Sequence, residues 1–156
     1  MPINLKNYTT EVAASKSIDN IEKLLVEFGA RNIMKEYGTL NPLPGAVCIS
    51  ISFLLELKPA NQTLPFKLPA NVQNVAKWLR KKKPGSSDKT IAEQAMRIAW
   101  KQQFEILHLQ LGQIEMEQLE LLEVFLPMLY NVQKNETYYQ QLKGTGFKAL
   151  LSSGSN

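Results

Sequence analysis

The chain has 156 residues, of which 44% are hydrophobic and 21% are charged, and this composition is typical of a folded globular domain rather than of a disordered segment. Its one cysteine, Cys48, excludes an internal disulfide framework, and its longest apolar run, 46–57, is too short to cross a bilayer. With a net charge of +4 and no signal-peptide pattern at its start, it is expected to be a single cytoplasmic domain, 1–156, that uses no membrane.

The first elements predicted along the chain are a short strand and an amphipathic helix. The strand is predicted over Tyr8–Val12, where β-branched and aromatic residues cluster. Ser15 or Ser17 can cap the helix, and Gly29 is placed to end it in a left-handed conformation. Between these ends lies one apolar stripe at helical spacing, formed by Ile18, Ile21, Leu24, Leu25 and Phe28.

Three more strands are predicted, at 30–37, 46–57 and 64–68. The middle strand alternates, and a period of two over this length is typical of a half-buried antiparallel strand. Pro65 indicates that the last strand lies at an edge of the sheet. In the middle strand, Val47, Ile49, Ile51, Phe53, Leu55 and Leu57 point to one side, and Cys48, Ser50, Ser52 and Glu56 point to the other.

The apolar spacing changes to that of a helix from Asn71 onward. A stripe of Val72, Val75, Ala76 and Leu79 predicts one helix, which Pro84-Gly85 ends. Thr90 and Glu93 match a capping box that opens a long second helix, which Pro127 ends or kinks. The broad apolar stripe of this long helix comprises Met96, Trp100, Phe104, Leu107, Leu111 and Ile114, widened by Ile106 and Leu109.

The predicted order of elements is β-α-β-β-β-α-α, which is an α+β fold. A small antiparallel sheet of three to four strands is covered by a helix and followed by a mainly helical C-terminal half. The sheet portion is expected over 1–69, the helical portion over 70–131 and a flexible tail over 144–156.

The sequence carries no catalytic signature. Glu105, His108 and Glu115 are the one arrangement that suggests a metal, but a chain with a single histidine cannot supply the paired E-x-x-H motifs of a di-iron bundle. The glycines stand singly in turns and form no phosphate-binding loop. We therefore expect no catalytic residue, no metal and no cofactor, and we expect Cys48 to be a packed strand thiol.

The main functional signal is a basic segment. Residues 77–101 carry eight basic and two acidic groups, whereas 1–76 has a net charge of +1 and 102–156 a net charge of −3. Clustered cations contact the phosphates of DNA or RNA, and tryptophan offers a surface on which unpaired bases stack. The predicted nucleic-acid-binding residues are Lys77, Trp78, Arg80, Lys81, Lys82, Lys83, Lys89, Arg97 and Lys101, with Trp100 and Phe66 as further stacking candidates.

Two alternatives remain open at this point. Cations in the last turn of a helix complement its dipole, so the run 80–83 can be a helix end and nothing more. The long helix favours a second function, that of an assembly protein that forms a homodimer through residues 90–126. Its acidic edge, which could dock a basic partner surface, comprises Glu115, Glu117, Glu120 and Glu123.

Three stretches of the chain carry a resemblance: NYTTEVAASKSIDNIEKLLVEFGARNIMKEY, PFKLPANVQNVAKWL and EQAMRIAWKQQFEILHLQLGQIEMEQLELLEVFLPMLY. The matching segments are N-Y-T-T, Ser17-Ile18 with Ile21, Phe28-Gly29-Ala30, F-K-L-P at 66–69, Arg97 with Ala99-Trp100, and V-F-L-P at 124–127. Across about 9–130, the chain resembles a family of uncharacterised bacteriophage and prophage proteins from integrated mobile elements. The resemblance implies no activity and no catalytic residues. It implies a role in replication, recombination or packaging, which favours the nucleic-acid interpretation.

Overall fold

The computed structural model describes residues 5, 7–58 and 61–152, and it has the predicted α+β architecture. Helix α1 (Ala14–Phe28) precedes the strands β1 (Arg31–Thr39), β2 (Ala46–Leu57) and β3 (Gln62–Pro69), which form an antiparallel sheet in the order β1-β2-β3. Helices α2 (Val72–Lys82), α3 (Asp88–Glu115) and α4 (Leu121–Phe125) follow, then a 3-10 turn, Leu126–Met128. The remaining elements are a short hairpin of β4 (Tyr130–Asn131) and β5 (Glu136–Thr137), then α5 (Tyr138–Gly144) and α6 (Lys148–Ser152).

The main core lies between the sheet and the helices α1 and α3. Trp100 at the middle of α3 is fully buried, and its indole N–H donates to the carbonyl oxygen of Cys48 at 3.2 Å. This hydrogen bond satisfies the one polar atom of a large apolar side chain, so the ring can be buried at little cost. The inward residues of α1 are Ile18, Ile21 and Leu25, and those of the sheet include Ile51, Phe53, Leu55, Phe66 and Leu68.

The end of α1 confirms its predicted boundary, whereas its start does not. Gly29 adopts a left-handed φ of 104°, and the amide groups of Gly29 and Ala30 donate to the carbonyls of Val26 and Leu25. This is the pattern of a Schellman cap. The N-cap residue is Ala13, which makes no side-chain cap, so the prediction that a serine caps this helix is wrong. Ser17 instead lies inside the helix and is buried.

A β-bulge in β2 changes which side chains face the core. Ile49 has no partner in β1, because Cys48 and Ser50 pair with consecutive residues of that strand. The extra residue reverses the alternation. Cys48 therefore joins the same buried cluster as Ile51, and the prediction that the two point to opposite sides is wrong. Burial raises the pKa of the Cys48 thiol, in agreement with a packed thiol.

Two other predictions are corrected by the structure. The segment predicted as a strand at Tyr8–Val12 contains turns and no strand. The long helix ends at Glu115 rather than near Pro127, because Glu117 adopts a left-handed φ of 59° and its amide donates to the carbonyl of Ile114. The tail predicted over 144–156 includes α6, its last four residues lie outside the described residues, and its flexibility stays a prediction.

Candidate nucleic-acid interface

The basic segment lies at the tip of a helical hairpin formed by α2 and α3. Leu79 of α2 is fully buried against Ile91 and Ile98 of α3, and these three residues form a second apolar cluster. The tight connection between the helices is set by Ser87, the N-cap of α3, whose side-chain oxygen accepts from the amide of Thr90. The predicted capping box thus begins three residues too late. The hairpin brings the C-terminus of α2 and the N-terminus of α3 together.

Six cations are exposed at this tip, which we call the basic tip. They are Lys77, Arg80, Lys81, Lys82, Lys83 and Lys89. Residues 77–89 contain one acidic residue, Asp88, which forms an ion pair with Arg80 and so ties the end of α2 to the start of α3. An open groove of about 430 Å³ adjoins the tip and is lined by Lys77, Arg80 and the loop residues Asn41 and Pro42. The basic tip can therefore offer several cations to one extended anion.

Trp78 is half-buried beside the basic tip, and the side chains of Tyr8 and Lys82 restrict access to its ring. The ring of Tyr8 meets it edge-on, with centroids 5.9 Å apart, and the ammonium of Lys82 lies 5.7 Å from its centroid. The cation over the ring is a favourable contact in itself. A base that stacks on the ring face beneath Lys82 would displace that side chain, which would then be available for a phosphate.

Arg97 and Lys101 do not belong to the basic tip. Arg97 is half-buried and donates from Nε to the side-chain oxygen of Gln94 at 2.8 Å. The side-chain amide of Gln94 in turn donates to the backbone carbonyl oxygens of Tyr8 and Thr10. Lys101 has a side chain only 22% exposed, which lies 3.6 Å from Glu105 and over the ring of Phe104. Both cations are thus engaged by the protein itself, and Lys101 lies about 18 Å along the helix from Lys89.

The two other stacking candidates are excluded by burial. Trp100 and Phe66 are both fully buried, so neither ring can meet a base without unfolding of the core. Phe66 instead packs against Phe53 and Phe125, with ring centroids 6.0 Å and 5.5 Å away. The position of Trp100 on the apolar stripe of the long helix predicts that it is buried, and the structure confirms this. Trp78 is not among the stripe residues of α2, and only the packing of the helical hairpin shows that its ring is half-buried.

Both residues of the E-x-x-H arrangement of α3, Glu105 and His108, contact other side chains of the chain. His108 stacks on Phe104, with centroids 5.6 Å apart, and Glu105 accepts a hydrogen bond from Asn7. Within 5, 7–58 and 61–152, no group of three or more His, Cys, Asp or Glu side chains converges as a metal ligand set.

A second polar cluster, which the sequence did not predict, lies on the face of the sheet away from α1 and α3. The Glu36 carboxylate accepts hydrogen bonds from Lys67 and from Ser50, the latter at 2.9 Å, and these bonds, led by that from Lys67, lower the pKa of Glu36. Lys67 also donates to Asn135 at 3.1 Å and lies over the Tyr130 ring. These residues come from β1, β2, β3 and the β4-β5 hairpin, so no local pattern brings them together.

The ion pair of this cluster borders a cleft of about 330 Å³, which also contains Gln140 and the start of α2. Because Lys67 and Glu36 satisfy each other, the cluster joins the strands to the hairpin and leaves no net charge in the cleft. Its evident effect is structural.

Comparisons of this chain with protein-family models, with curated proteins and with solved structures find no match. The resemblance to phage and prophage proteins therefore stays a prediction. Among the described helices, none combines the length and the apolar character that crossing a bilayer requires.

Proposed function

We propose that this protein binds the sugar-phosphate backbone of DNA or RNA through the basic tip and has no catalytic activity of its own. The supporting observation is the concentration of charge: six basic residues and one acidic residue occur within 77–89, and all six cations are exposed. Binding of this kind is dominated by release of counterions, so it is weak, sensitive to salt and largely independent of base sequence.

The charge of the tip exceeds what a helix end requires. The dipole of α2 favours cations in its last turn, which contains Arg80, Lys81 and Lys82. Lys83 is the C-cap of α2 and is favoured by the same dipole, whereas Lys89 lies in the first turn of α3, where the dipole disfavours a cation. Like charges placed so closely repel one another, and a phosphate chain would relieve this repulsion. The excess therefore favours an anionic partner over a helix end alone.

The test is a binding titration with labelled single-stranded and double-stranded oligonucleotides, followed by fluorescence anisotropy at low and moderate salt. We expect binding at low salt and a linear fall of log K with log salt concentration. Replacing Lys81, Lys82 and Lys83 by alanine leaves the Arg80–Asp88 ion pair intact. If each lysine contacts one phosphate, this variant reduces the salt slope by about 2.7 on duplex DNA and by about 2 on single strands.

The matched control replaces three exposed lysines elsewhere, Lys16, Lys23 and Lys134, by alanine. It removes the same net charge, so it separates a local surface from a general effect of charge. Absence of binding at low salt would refute the proposal. An equal loss of affinity in the control would also refute it, because the basic tip would then have no special role.

The biological setting that we propose follows from the resemblance and from composition. A small phage or mobile-element protein that binds nucleic acid would act as an accessory factor in replication, recombination or packaging. We place it in the cytoplasm, where such nucleic acid is found and where a buried, reduced cysteine is stable.

A further inference from the structure

Two aromatic side chains lie beside the basic tip, at the boundary with solvent. Trp78 of α2 is half-buried, and Tyr8, which precedes α1, is 39% exposed. Their ring centroids are 5.9 Å apart, and the ring planes are nearly perpendicular, at 82°. Tryptophan and tyrosine on a cationic surface are the side chains on which unpaired bases stack.

Hydrogen bonds to α3 fix the position of Tyr8. The side-chain amide of Gln94 donates to the backbone carbonyl oxygens of Tyr8 and Thr10, at 3.2 Å and 3.0 Å. These bonds tie the segment that precedes α1 to the hairpin of α2 and α3, where the Tyr8 ring meets Trp78. The aromatic pair is therefore a defined part of this surface, built from two distant segments of the chain.

The ring of Trp78 is held partly by the protein interior and partly by a lysine. It packs against the apolar cluster that contains Leu79, and the ammonium of Lys82 lies 5.7 Å from its centroid. Lys82 is exposed, and a cation–ring contact at an exposed site is weaker than the stacking of a base on an aromatic side chain. A base can therefore replace Lys82 over the indole with a net gain in binding.

Two cations of the basic tip stand at a spacing that suits one nucleotide. Lys81 and Lys82 follow Trp78 by three and four residues in α2, so the three Cβ atoms share one helix face and are about 5–6 Å apart. A nucleotide whose base lies on the indole has its phosphate within reach of either lysine. In a duplex the bases are already stacked on one another, so a duplex offers the two rings no free base.

We propose that the nucleic acid bound at the basic tip is single-stranded, with an unpaired base stacked on Trp78 and the adjoining phosphates held by Lys81 and Lys82. This proposal rests on the proposed function and names its substrate class. Tyr8 borders the stacked base. The recognised chemistry is an unpaired nucleotide, which single-stranded DNA and single-stranded RNA share, and stacking of this kind is tolerant of base sequence.

Fluorescence titration with an oligothymidylate, an oligouridylate and a DNA duplex of the same length tests this proposal. Trp100 is fully buried, so Trp78 is the tryptophan whose emission a stacked base can quench. We expect both single strands to quench it and the duplex to leave it unchanged. At moderate salt the single strands should bind more tightly than the duplex, whose phosphate contacts weaken more steeply with salt. The single strand that binds more tightly identifies the source of the nucleotides, and equal affinity assigns both.

Trp78→Leu removes the indole and leaves every charge in place. It should lower the affinity for single strands by about fivefold to a hundredfold with an unchanged salt slope, and alter the affinity for duplex by less than about twofold. Trp78→Phe keeps a smaller ring and should retain part of the lost affinity, and circular dichroism checks that both variants fold. The matched control is Tyr139→Leu, which removes a ring 50% exposed in α5 and should leave single-strand binding unchanged.

The results distinguish this proposal from the proposed function. If no probe binds at low salt, both fail. Three results would overturn single-strand binding alone and leave phosphate binding at the basic tip standing. The first is binding of single strands by the wild type without quenching, which needs no variant. The second is a duplex affinity at moderate salt that equals or exceeds that for single strands. The third is a folded Trp78→Leu variant that binds single strands as tightly as the wild type.

Discussion

Replacing Phe125 by alanine tests how the segment after α3 returns to the core. Phe125 is fully buried, and its ring lies 5.9 Å from Phe53 and 5.5 Å from Phe66, with the first pair at an interplanar angle of 81°. Truncation of a buried phenylalanine costs about 3–5 kcal/mol, and two aromatic contacts place this residue in the upper part of that range. We expect a loss of about 4–5 kcal/mol, or a fall in Tm of about 8–20 °C for a chain of this size.

The assay is urea unfolding monitored by tryptophan fluorescence and circular dichroism, since the buried indole of Trp100 reports on the core. The neighbouring residue supplies the control. Leu126 is 42% exposed, and Leu126→Ala should cost well under half as much. A loss of less than about 1 kcal/mol in Phe125→Ala, or a loss no larger than that of Leu126→Ala, would refute the packing of α4 against the sheet.

Three further outcomes follow from single contacts. Trp100→Phe loses the hydrogen bond to the Cys48 carbonyl and part of the core volume, and should cost about 1–3 kcal/mol in thermal or urea unfolding; an unchanged stability would contradict that bond. Gly29→Ala forces a side chain into a left-handed φ and should cost about 1 kcal/mol, with no clash to add to it. Because hydrogen bonding to Lys67 lowers the pKa of Glu36, its stabilising effect is present above the ordinary carboxyl value of 4.5 and is lost as pH falls through the lowered pKa. The difference in unfolding free energy between wild type and Glu36→Gln should therefore vanish in strong acid, and a difference independent of pH would contradict the ion pair.

The candidate site was predictable where its signals are local. The stripe of α2, the Pro84-Gly85 stop and the run of basic residues all lie within a few turns of one another, so their spacing indicates a charged helix end. The count of charges along the sequence also places Arg97 and Lys101 on the basic surface, because it takes no account of the side chains that lie next to each cation in the folded chain. Their partners, Gln94 and Glu105, become visible only with the side chains in place.

The polar cluster on the sheet could not be predicted in this way, because its residues are far apart in the sequence. Glu36, Ser50 and Lys67 come from three strands, and their meeting depends on strand register. The bulge at Ile49 shifts the register of β2 against β1, and no feature of the local sequence predicts this bulge. Strict alternation therefore predicts the strand 46–57 correctly but places the Cys48 side chain on the wrong face of the sheet.

The amino-acid sequence alone determined the α+β class, the three strands, the end of α1 at Gly29 and the charge of the basic tip. These depend on periodicity, on glycine and proline, and on composition, which act over a few residues. The tertiary structure alone decided that Trp78 is half-buried, where α3 ends and which part of α3 is covered by α2. Burial depends on contacts between segments far apart in the chain, and the 11 residues of α2 cannot cover all 28 residues of α3.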